Sequence, residues 1–214
     1  MKSVLSPVKN RLRYLVSYLW ERAHGLDFTL PDRMYDRGRN DGAMYYPTAR
    51  AVLEDVFSSI DTVAYGRFLD VGCGKGYVLK AAAEYGFRRV GGIEYDERLA
   101  DICQTNLRRT GLQDRVRLVR GDAALFDGYG SYDCFYFFNP FKAEVMARVI
   151  AAICEQCRGR PVTLIYYHPR YPAPIEQAGC FRRTRVLRDT ARDYEVYIYQ
   201  GVADAAAGAS GEKA

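Results

Sequence analysis

The sequence of 214 residues has no long apolar run, only two histidines, and few lysines, since most of its 31 basic residues are arginine. No stretch reaches the roughly 18 apolar residues that a membrane-spanning helix needs, so we predict no transmembrane segment. The basic amino-terminal stretch lacks an apolar core followed by small residues, so no signal peptide is predicted. We therefore expect a cytoplasmic, reduced protein.

The six cysteines include a single close pair, Cys154-x-x-Cys157, and no second pair accompanies it. A structural zinc site needs four ligands, and redox pairs of this spacing lie at the start of a helix. Cys154 and Cys157 fall late in a predicted helix instead. We therefore predict neither a metal nor a redox site at these residues.

Neither sign of charge dominates, because 31 basic residues face 26 acidic ones for a net charge of +5. The hydrophobic fraction of 49% and charged fraction of 27% are typical of one globular domain with a full core. Arginine suits planar anionic partners such as phosphate and carboxylate. A modest excess is equally typical of a solvated surface, so charge alone does not predict nucleic-acid binding.

The most informative stretch is RFLDVGCGKGY, residues 67–77. It begins as an apolar strand of the kind that is buried in parallel sheets, with Asp70 near its end. Three glycines then form a turn without side-chain bulk: Gly72, Gly74 and Gly76. Helix-forming residues follow up to Tyr85, and Gly86 ends them. Strand, glycine loop and helix predict the first crossover of a Rossmann-like sheet.

The spacing of this loop distinguishes two nucleotide cofactors. It reads G-x-G-x-G, with the small Cys73 between the first two glycines, whereas a dinucleotide pyrophosphate fits G-x-G-x-x-G. Asp70, just before the loop, would repel a phosphate and attract an ammonium group. A generic tight turn would give the same letters, but the loop and the acid together favour S-adenosylmethionine over NAD.

Two further predicted strands also end in acids. Residues 90–94 end in Glu94, about twenty residues past the loop, the spacing at which a carboxylate binds ribose hydroxyls. Asp122 and Ala123 follow the third strand, where an acid can accept a hydrogen bond from an adenine amino group. We predict that Asp70 and the loop hold the methionine part, Glu94 the ribose, and Asp122 with Ala123 the adenine, and that Tyr95 also lies at the cofactor.

These segments resemble the class I S-adenosylmethionine-dependent methyltransferases. Four segments carry the resemblance: LDVGCGKG (69–76), GIEYDERLADICQTNL (92–107), GDAALF (121–126) and YDCFYFFNPF (132–141). Residues 34–38 and 45–48 are also similar to motifs of small bacterial methyltransferases of unassigned substrate, and distantly to nucleosomal lysine methyltransferases of the non-SET type. The resemblance implies an α/β fold with a mostly parallel seven-stranded sheet flanked by helices.

The amino-terminal part of the chain is predicted to begin with an amphipathic helix. Apolar residues repeat at helical spacing: Val8, Leu12, Leu15, Val16 and Leu19. Basic residues lie off that stripe: Lys9, Arg11 and Arg13. The helix either packs on the domain as a cover or makes peripheral contact with an anionic membrane or nucleic acid.

We predict that the chain is divided into three regions. Residues 1–48 are predicted to be a helical and irregular cover, 49–202 the methyltransferase domain, and 203–214 a disordered tail. Near the first boundary, the Thr48 hydroxyl either caps the next helix or, together with Tyr46, borders the cofactor.

The candidate acceptor site follows the fourth and fifth predicted strands. Asn139, Pro140 and Phe141 follow the fourth, and His168 follows the fifth. Ligands of open α/β sheets lie at the carboxyl ends of the strands, so the tripeptide should face the methyl donor, and Asn139 is predicted to border the cofactor as well. The Asn139 amide or the Pro140 carbonyl can accept a hydrogen bond from an amine. A neutral His168 can take up a proton.

A structural alternative remains for each of these residues. Asn-Pro can be a plain strand-to-helix turn, and a lone histidine such as His168 is often structural. N-methyltransferases of nucleic acids and of protein glutamine have Asn/Asp-Pro-Pro-aromatic at this place, and the second proline is missing here. That departure weakens the case for those two substrate classes.

Together these observations predict an S-adenosylmethionine-dependent methyltransferase whose acceptor is a nitrogen of a protein, a nucleic acid or a lipid headgroup. Two alternatives stay open. One is a methyltransferase-like module without catalysis that binds a membrane or nucleic acid. The other is an NAD-dependent oxidoreductase, which a further glycine in the loop would have indicated.

Overall fold

The fold was described from a computed structural model over residues 5–30 and 47–202, with side chains of the first helix described at Leu12 and from Leu15 onward. The strands are β1 (Arg67–Val71), β2 (Arg89–Glu94), β3 (Val116–Arg120), β4 (Cys134–Phe138), β5 (Thr163–Tyr167), β6 (Phe181–Asp189) and β7 (Tyr194–Gly201). The helices are α1 (Leu5–Ala23), α2 (Arg50–Ser58), α3 (Tyr77–Tyr85), α4 (Glu97–Arg109), α5 (Ala143–Gln156) and α6 (Ala173–Gln177).

All seven strands form one sheet in the order β3-β2-β1-β4-β5-β7-β6. The first five strands are parallel to one another, and β7 runs antiparallel to both β5 and β6. The predicted mostly parallel seven-stranded sheet is confirmed. The strand order reverses between β1 and β4, and ligands of such sheets bind outside the carboxyl ends of the strands at this reversal.

The hydrophobic core lies on both faces of this sheet. Helices α2, α3 and α4 pack on one face, and α5 and α6 pack on the other. Strand β4, with the sequence CFYFF, is buried along four of its five residues because it lies at the centre of the sheet. The two covered faces explain why the parallel strands read as continuous apolar runs rather than as alternating ones.

Helix α1 does not pack on the domain through its apolar stripe. Its large apolar side chains are about half exposed: Leu12 60%, Leu15 49%, Val16 58%, Leu19 56% and Trp20 54%. The interpretation of α1 as a packed cover is therefore wrong for this face. The rest of the predicted cover, residues 31–46, and the predicted tail, residues 203–214, lie outside the described residues, so the division into three regions stays a prediction.

Two cysteines differ from expectation. The structure joins Cys154 of α5 to Cys180 just before β6 in a disulfide, so the expectation of free thiols is wrong for these two residues. Cys157 is buried with a free thiol. Among the helices of residues 5–30 and 47–202, none combines the length and apolar character needed to cross a bilayer.

Candidate functional site

The glycine loop after β1 adopts a backbone that requires glycine. Gly72, Gly74 and Gly76 have φ angles of +84°, +54° and +84°, in the left-handed region that side chains disfavour. The backbone N–H groups of Gly72 and Cys73 donate to the carbonyl of Ile93 at 2.9 and 3.0 Å. These hydrogen bonds join the loop to the neighbouring strand β2. Because glycine has no side chain, these three residues place no side-chain atoms of their own over the loop backbone.

Glu94, the last residue of β2, holds the same loop. Its side chain accepts hydrogen bonds from the backbone N–H of Gly74 at 2.7 Å and of Asp96 at 2.8 Å, and the residue is only 2% exposed. Burial raises the pKa of Glu94 to about 7, although the backbone hydrogen bonds oppose the shift. The carboxylate therefore already shapes the loop before any ligand is considered.

Asp70 lies beside Glu94 and is 3% exposed. Burial, and then the charge of Glu94, raise the pKa of Asp70 well above its ordinary value. In the loop, the hydrogen bond between Cys73 and Cys103 and the burial of both raise the pKa of the Cys73 thiol. Cys73 is consequently a packed thiol that joins the loop to α4.

The predicted adenine residues follow β3 at the same sheet edge. Asp122 is half-buried and accepts a hydrogen bond from the Ala124 N–H at 2.9 Å, which starts a short 3₁₀ turn over Ala123–Leu125. Ala123 is buried, whereas Tyr95 at the end of β2 is 51% exposed. An exposed aromatic ring and a half-buried carboxylate thus follow the two neighbouring strands β2 and β3.

The acceptor residues lie side by side on the next two strands. Phe138 and Tyr167 are paired partners in β4 and β5, so the residues that follow them, Asn139 and His168, are neighbours at the carboxyl edge. Both have left-handed backbones, with φ of 41° and 52°. Such conformations are uncommon away from glycine and concentrate at functional sites.

Local contacts hold these two side chains. The Tyr166 hydroxyl donates to the Asn139 amide oxygen at 3.3 Å. The His168 ring stacks on Tyr194 with 3.8 Å between the ring centroids. Burial and the charge of Arg170 lower the pKa of His168, which keeps its imidazole neutral.

The two parts of the site touch at one point. A Cβ added to Gly72 would lie 2.7 Å from the Pro140 Cβ, so the loop after β4 packs directly on the glycine loop. Phe141 is partly buried and packs against the core on the α5 face. Pro140 and Phe141 therefore fix the direction of the chain as it leaves Asn139.

Thr48 does not cap α2, which was one of its two predicted roles. Its hydroxyl is 2.8 Å from the hydroxyl of Tyr136 in β4, and α2 begins after Ala49 with no side-chain cap. The capping interpretation of Thr48 is therefore wrong, because its hydroxyl forms a hydrogen bond with the Tyr136 hydroxyl instead. Tyr46 lies outside the described residues, so its position beside the cofactor stays a prediction.

Some supporting residues were not predicted from the sequence. Tyr166 and Tyr194 orient Asn139 and His168, and nothing distinguishes them among the 18 tyrosines of the chain. Asn106 links the glycine loop to the segment before residue 30. Its signal was available, since it is a polar residue at an inward position of an otherwise apolar helical face.

The residues present fit S-adenosylmethionine. The three glycines of the loop carry no side chains of their own, the carboxylates of Asp70 and Glu94 are buried beside it, and the Tyr95 ring is about half exposed.

Comparisons with known proteins agree with this geometry. The family described as "Methyltransferase domain" matches residues 68–159. A probable cobalt-precorrin-6B C(15)-methyltransferase (decarboxylating) of Pyrobaculum calidifontis is 34% identical over 170 residues, which cover 78% of this chain and 80% of that protein. The ribosomal protein L11 methyltransferase of Gloeobacter violaceus is 32% identical over 123 residues, 58% of this chain but only 35% of that protein.

The fold is shared with solved structures. An RNA methyltransferase from Salinibacter ruber, in complex with S-adenosyl-L-homocysteine, aligns with a TM-score of 0.54 at 20% identity, over 72% of this chain and 92% of that one. The family match and the Pyrobaculum relative, which is aligned across 80% of its length, point to the same group as the glycine loop. The chain belongs to the class I S-adenosylmethionine-dependent methyltransferases.

Proposed function

We propose that this methyltransferase acts on a nitrogen that is placed between Asn139 and His168. One observation carries the proposal: these two residues lie side by side on the ends of β4 and β5, both in left-handed backbone conformations. Residues other than glycine that are held in the left-handed region concentrate at functional sites. They stand on the acceptor side of the strand reversal, next to the glycine loop.

Asn139 suits an amine that must keep its lone pair free. The Asn139 amide oxygen has a second lone pair besides the one that accepts from Tyr166, so it can also accept an N–H of the acceptor. Holding an N–H at this oxygen aligns the nitrogen lone pair with the methyl group. Alignment is the main contribution a protein makes to an in-line displacement.

His168 suits the proton that such a nitrogen must lose. S-adenosylmethionine, when bound, supplies a methyl group on a positively charged sulfur. In the transfer, the carbon–sulfur bond breaks with its electron pair left on sulfur, and the carbon–nitrogen bond forms from the nitrogen lone pair. The nitrogen then releases a proton, and the neutral imidazole of His168 can accept it.

The cofactor roles assigned from the sequence are part of the same proposal. Asp70 and the glycine loop would hold the methionine part, Glu94 the ribose, and Asp122 with Ala123 the adenine, and Tyr95 would also lie at the cofactor. The buried carboxylates and the loop geometry support these roles.

The test is methyl transfer from labelled S-adenosylmethionine to separate pools of protein, RNA and lipid. Asn139→Gly keeps the left-handed backbone and removes the amide, so we expect lost transfer with unchanged cofactor affinity. Gln156→Ala is the matched control, because the Gln156 amide also bonds backbone groups, at Gly130 and Phe126, but lies at the end of α5.

The labelled product identifies the atom. A nitrogen acceptor gives an N-methyl product, which chromatography of the hydrolysed pool against N-, O-, S- and C-methyl standards distinguishes from the other methyl products. A base-labile methyl ester, or full activity in Asn139→Gly, would contradict the proposal.

For the partner, we propose that α1 docks on an anionic membrane surface. Its apolar stripe is exposed to solvent, as reported above, and includes Trp20 and three leucines. By helical spacing, Lys9 and Arg13 fall on one side of the stripe and Arg11 and Arg22 on the other. The single acid of α1, Glu21, is buried on the opposite side. An apolar stripe between basic residues complements anionic lipid.

Sedimentation with lipid vesicles tests this partner. We expect binding to vesicles with phosphatidylserine and weaker binding to pure phosphatidylcholine. Leu19→Asp should abolish binding, whereas Ser17→Asp, with the same new charge off the stripe, should only reduce it. Equal binding by both variants, or retention of RNA in place of lipid, would contradict the membrane proposal.

A further inference from the structure

A lysine inside the glycine loop points away from solvent. Lys75, between Gly74 and Gly76, is 1% exposed. Its ammonium group lies 2.7 Å from the Asp27 carboxylate and 3.0 Å from the Leu30 carbonyl. An ammonium group is costly to bury unless charged and polar partners surround it. The segment after α1 supplies those partners, 48 residues away in sequence from the loop.

A buried amide joins the same two segments. Asn106 of α4 is 1% exposed. Its oxygen accepts from the Asp27 N–H at 3.0 Å, and its nitrogen donates to the carbonyls of Asp27 at 2.9 Å and Lys75 at 3.0 Å. One side chain therefore bonds the backbones of both the amino-terminal segment and the glycine loop.

The segment around Asp27 is itself fixed from the other side. Glu21 of α1 accepts hydrogen bonds from the backbone N–H of Phe28 at 2.9 Å and of Thr29 at 2.8 Å. Phe28 also contacts Tyr77, the first residue of α3, with 5.6 Å between the ring centroids. Residues 26–30 are thus held between α1 and the start of the helix that follows the glycine loop.

The position of Lys75 makes this support relevant to cofactor binding. The residue before it, Gly74, donates to Glu94, and the residue after it, Gly76, packs on Cys103 of α4. Both flanking glycines have left-handed backbones. In an unconstrained chain, glycine would also adopt many other conformations. A side chain anchored at Lys75 removes that freedom from the middle of the loop.

We propose that Asp27 and Asn106 are positioning residues for S-adenosylmethionine: they act through Lys75 to hold the glycine loop in its binding conformation. The amino-terminal segment is then part of the cofactor site, although it precedes the matched methyltransferase domain at residues 68–159. This inference concerns cofactor affinity alone and does not depend on the identity of the acceptor.

The test is the dissociation constant of S-adenosylmethionine for Asp27→Asn, measured by calorimetry on the full chain. Replacing the carboxylate that faces the Lys75 ammonium with an amide should weaken binding by about tenfold, a typical coupling between two linked sites. Asp27→Glu restores the negative charge and should recover part of the affinity.

Asp133→Asn is the matched control. Asp133 is also a buried carboxylate paired with a basic side chain, Arg67, and its side chain is 4% exposed. It precedes β4, at the sheet edge opposite to the glycine loop. We expect this variant to lower the melting temperature and leave the dissociation constant unchanged. Equal weakening by Asp27→Asn and Asp133→Asn, or unchanged binding in folded Asp27→Asn, would overturn the proposal.

A measurement on the unmodified protein covers the case in which Asp27→Asn does not fold. Coupling is reciprocal, so cofactor binding must stabilise the anchored segment. We expect S-adenosylhomocysteine to slow amide hydrogen exchange at Asp27, Phe28 and Thr29. Unchanged exchange there, with slowed exchange at Gly74, would overturn the proposal.

Discussion

The two sides of the strand reversal are built differently. On the β1–β2 side, Asp70 and Glu94 are almost fully buried, and the Glu94 carboxylate bonds the backbone of the loop it shapes. On the β4–β5 side, Asn139 and His168 are partly exposed and hold left-handed backbones. The first side is completed by the chain's own hydrogen bonds, whereas the second leaves polar side chains partly exposed.

This difference teaches where specificity lies. A cofactor site that is organised by backbone contacts recognises one ligand chemistry, and the same arrangement serves many acceptors. The acceptor side has few polar groups, and their positions depend on neighbours such as Tyr166 and Tyr194. Variants on the two sides should therefore separate binding of the cofactor from transfer of its methyl group.

The largest separation is expected for His168→Asn. Asparagine tolerates the left-handed backbone but cannot take up the proton, so kcat should fall by about 100-fold or more. Cofactor affinity should not change. His24→Asn is the matched control, because His24 also stacks on an aromatic ring, that of Trp20, but lies in the exposed segment after α1. Equal kcat for the two variants would assign His168 a structural role.

The point of contact between the two sides should be the next most sensitive position. Gly72→Ala places a methyl group against Pro140 and strains a positive φ, so we expect about 2–4 kcal/mol lower stability together with weak cofactor binding. Gly111→Ala controls for the backbone strain, since Gly111 has a φ of +69° and open space around its Cβ position. Equal melting temperatures would show that the contact with Pro140 adds nothing.

A smaller effect is expected at the carboxylate of β2. Glu94→Ala should weaken S-adenosylmethionine binding by about 1–3 kcal/mol, the cost of losing hydrogen bonds to a charged group. Calorimetry measures this change directly. Unchanged affinity in the folded variant would count against the assignment of Glu94 to the ribose.

The sequence predicted the first side better than the second. Strand β1, the glycine loop and α3 are local, because their geometry follows from apolar runs and glycine spacing within about twenty residues. The observed α3, Tyr77–Tyr85, has the predicted bounds. The pairing of Thr48 with Tyr136, and of Asp27 with Lys75, joins residues 88 and 48 positions apart. Such contacts depend on tertiary packing, which cannot be derived from local sequence patterns.

The sequence left two roles open for the apolar stripe of α1 for a related reason. Apolar periodicity predicts a face that is covered, but it does not indicate what covers it. The disulfide between Cys154 and Cys180 was missed because 26 residues separate them, and only the packing of α5 beside the start of β6 brings them together.

The smallest expected effect is the dependence of stability on pH. The pKa of Glu94 is raised to about 7 in the fold, above its ordinary value of 4.5, so the folded state binds more protons than the unfolded state between these values. Stability without ligand should therefore fall as pH rises through this window, and burial of Asp70 acts in the same direction. Thermal unfolding from pH 4.5 to 7 measures this slope, and Glu94→Gln should flatten it. An unchanged slope in Glu94→Gln would place the titration at another group.

The central claim is that the β1–β2 side binds the cofactor without help from an acceptor. Calorimetric titration of the purified protein with S-adenosylmethionine and S-adenosylhomocysteine, in the absence of any acceptor, tests it most directly. We predict micromolar binding of both and no binding of NAD. A folded protein that binds neither, or that binds NAD instead, would contradict the account.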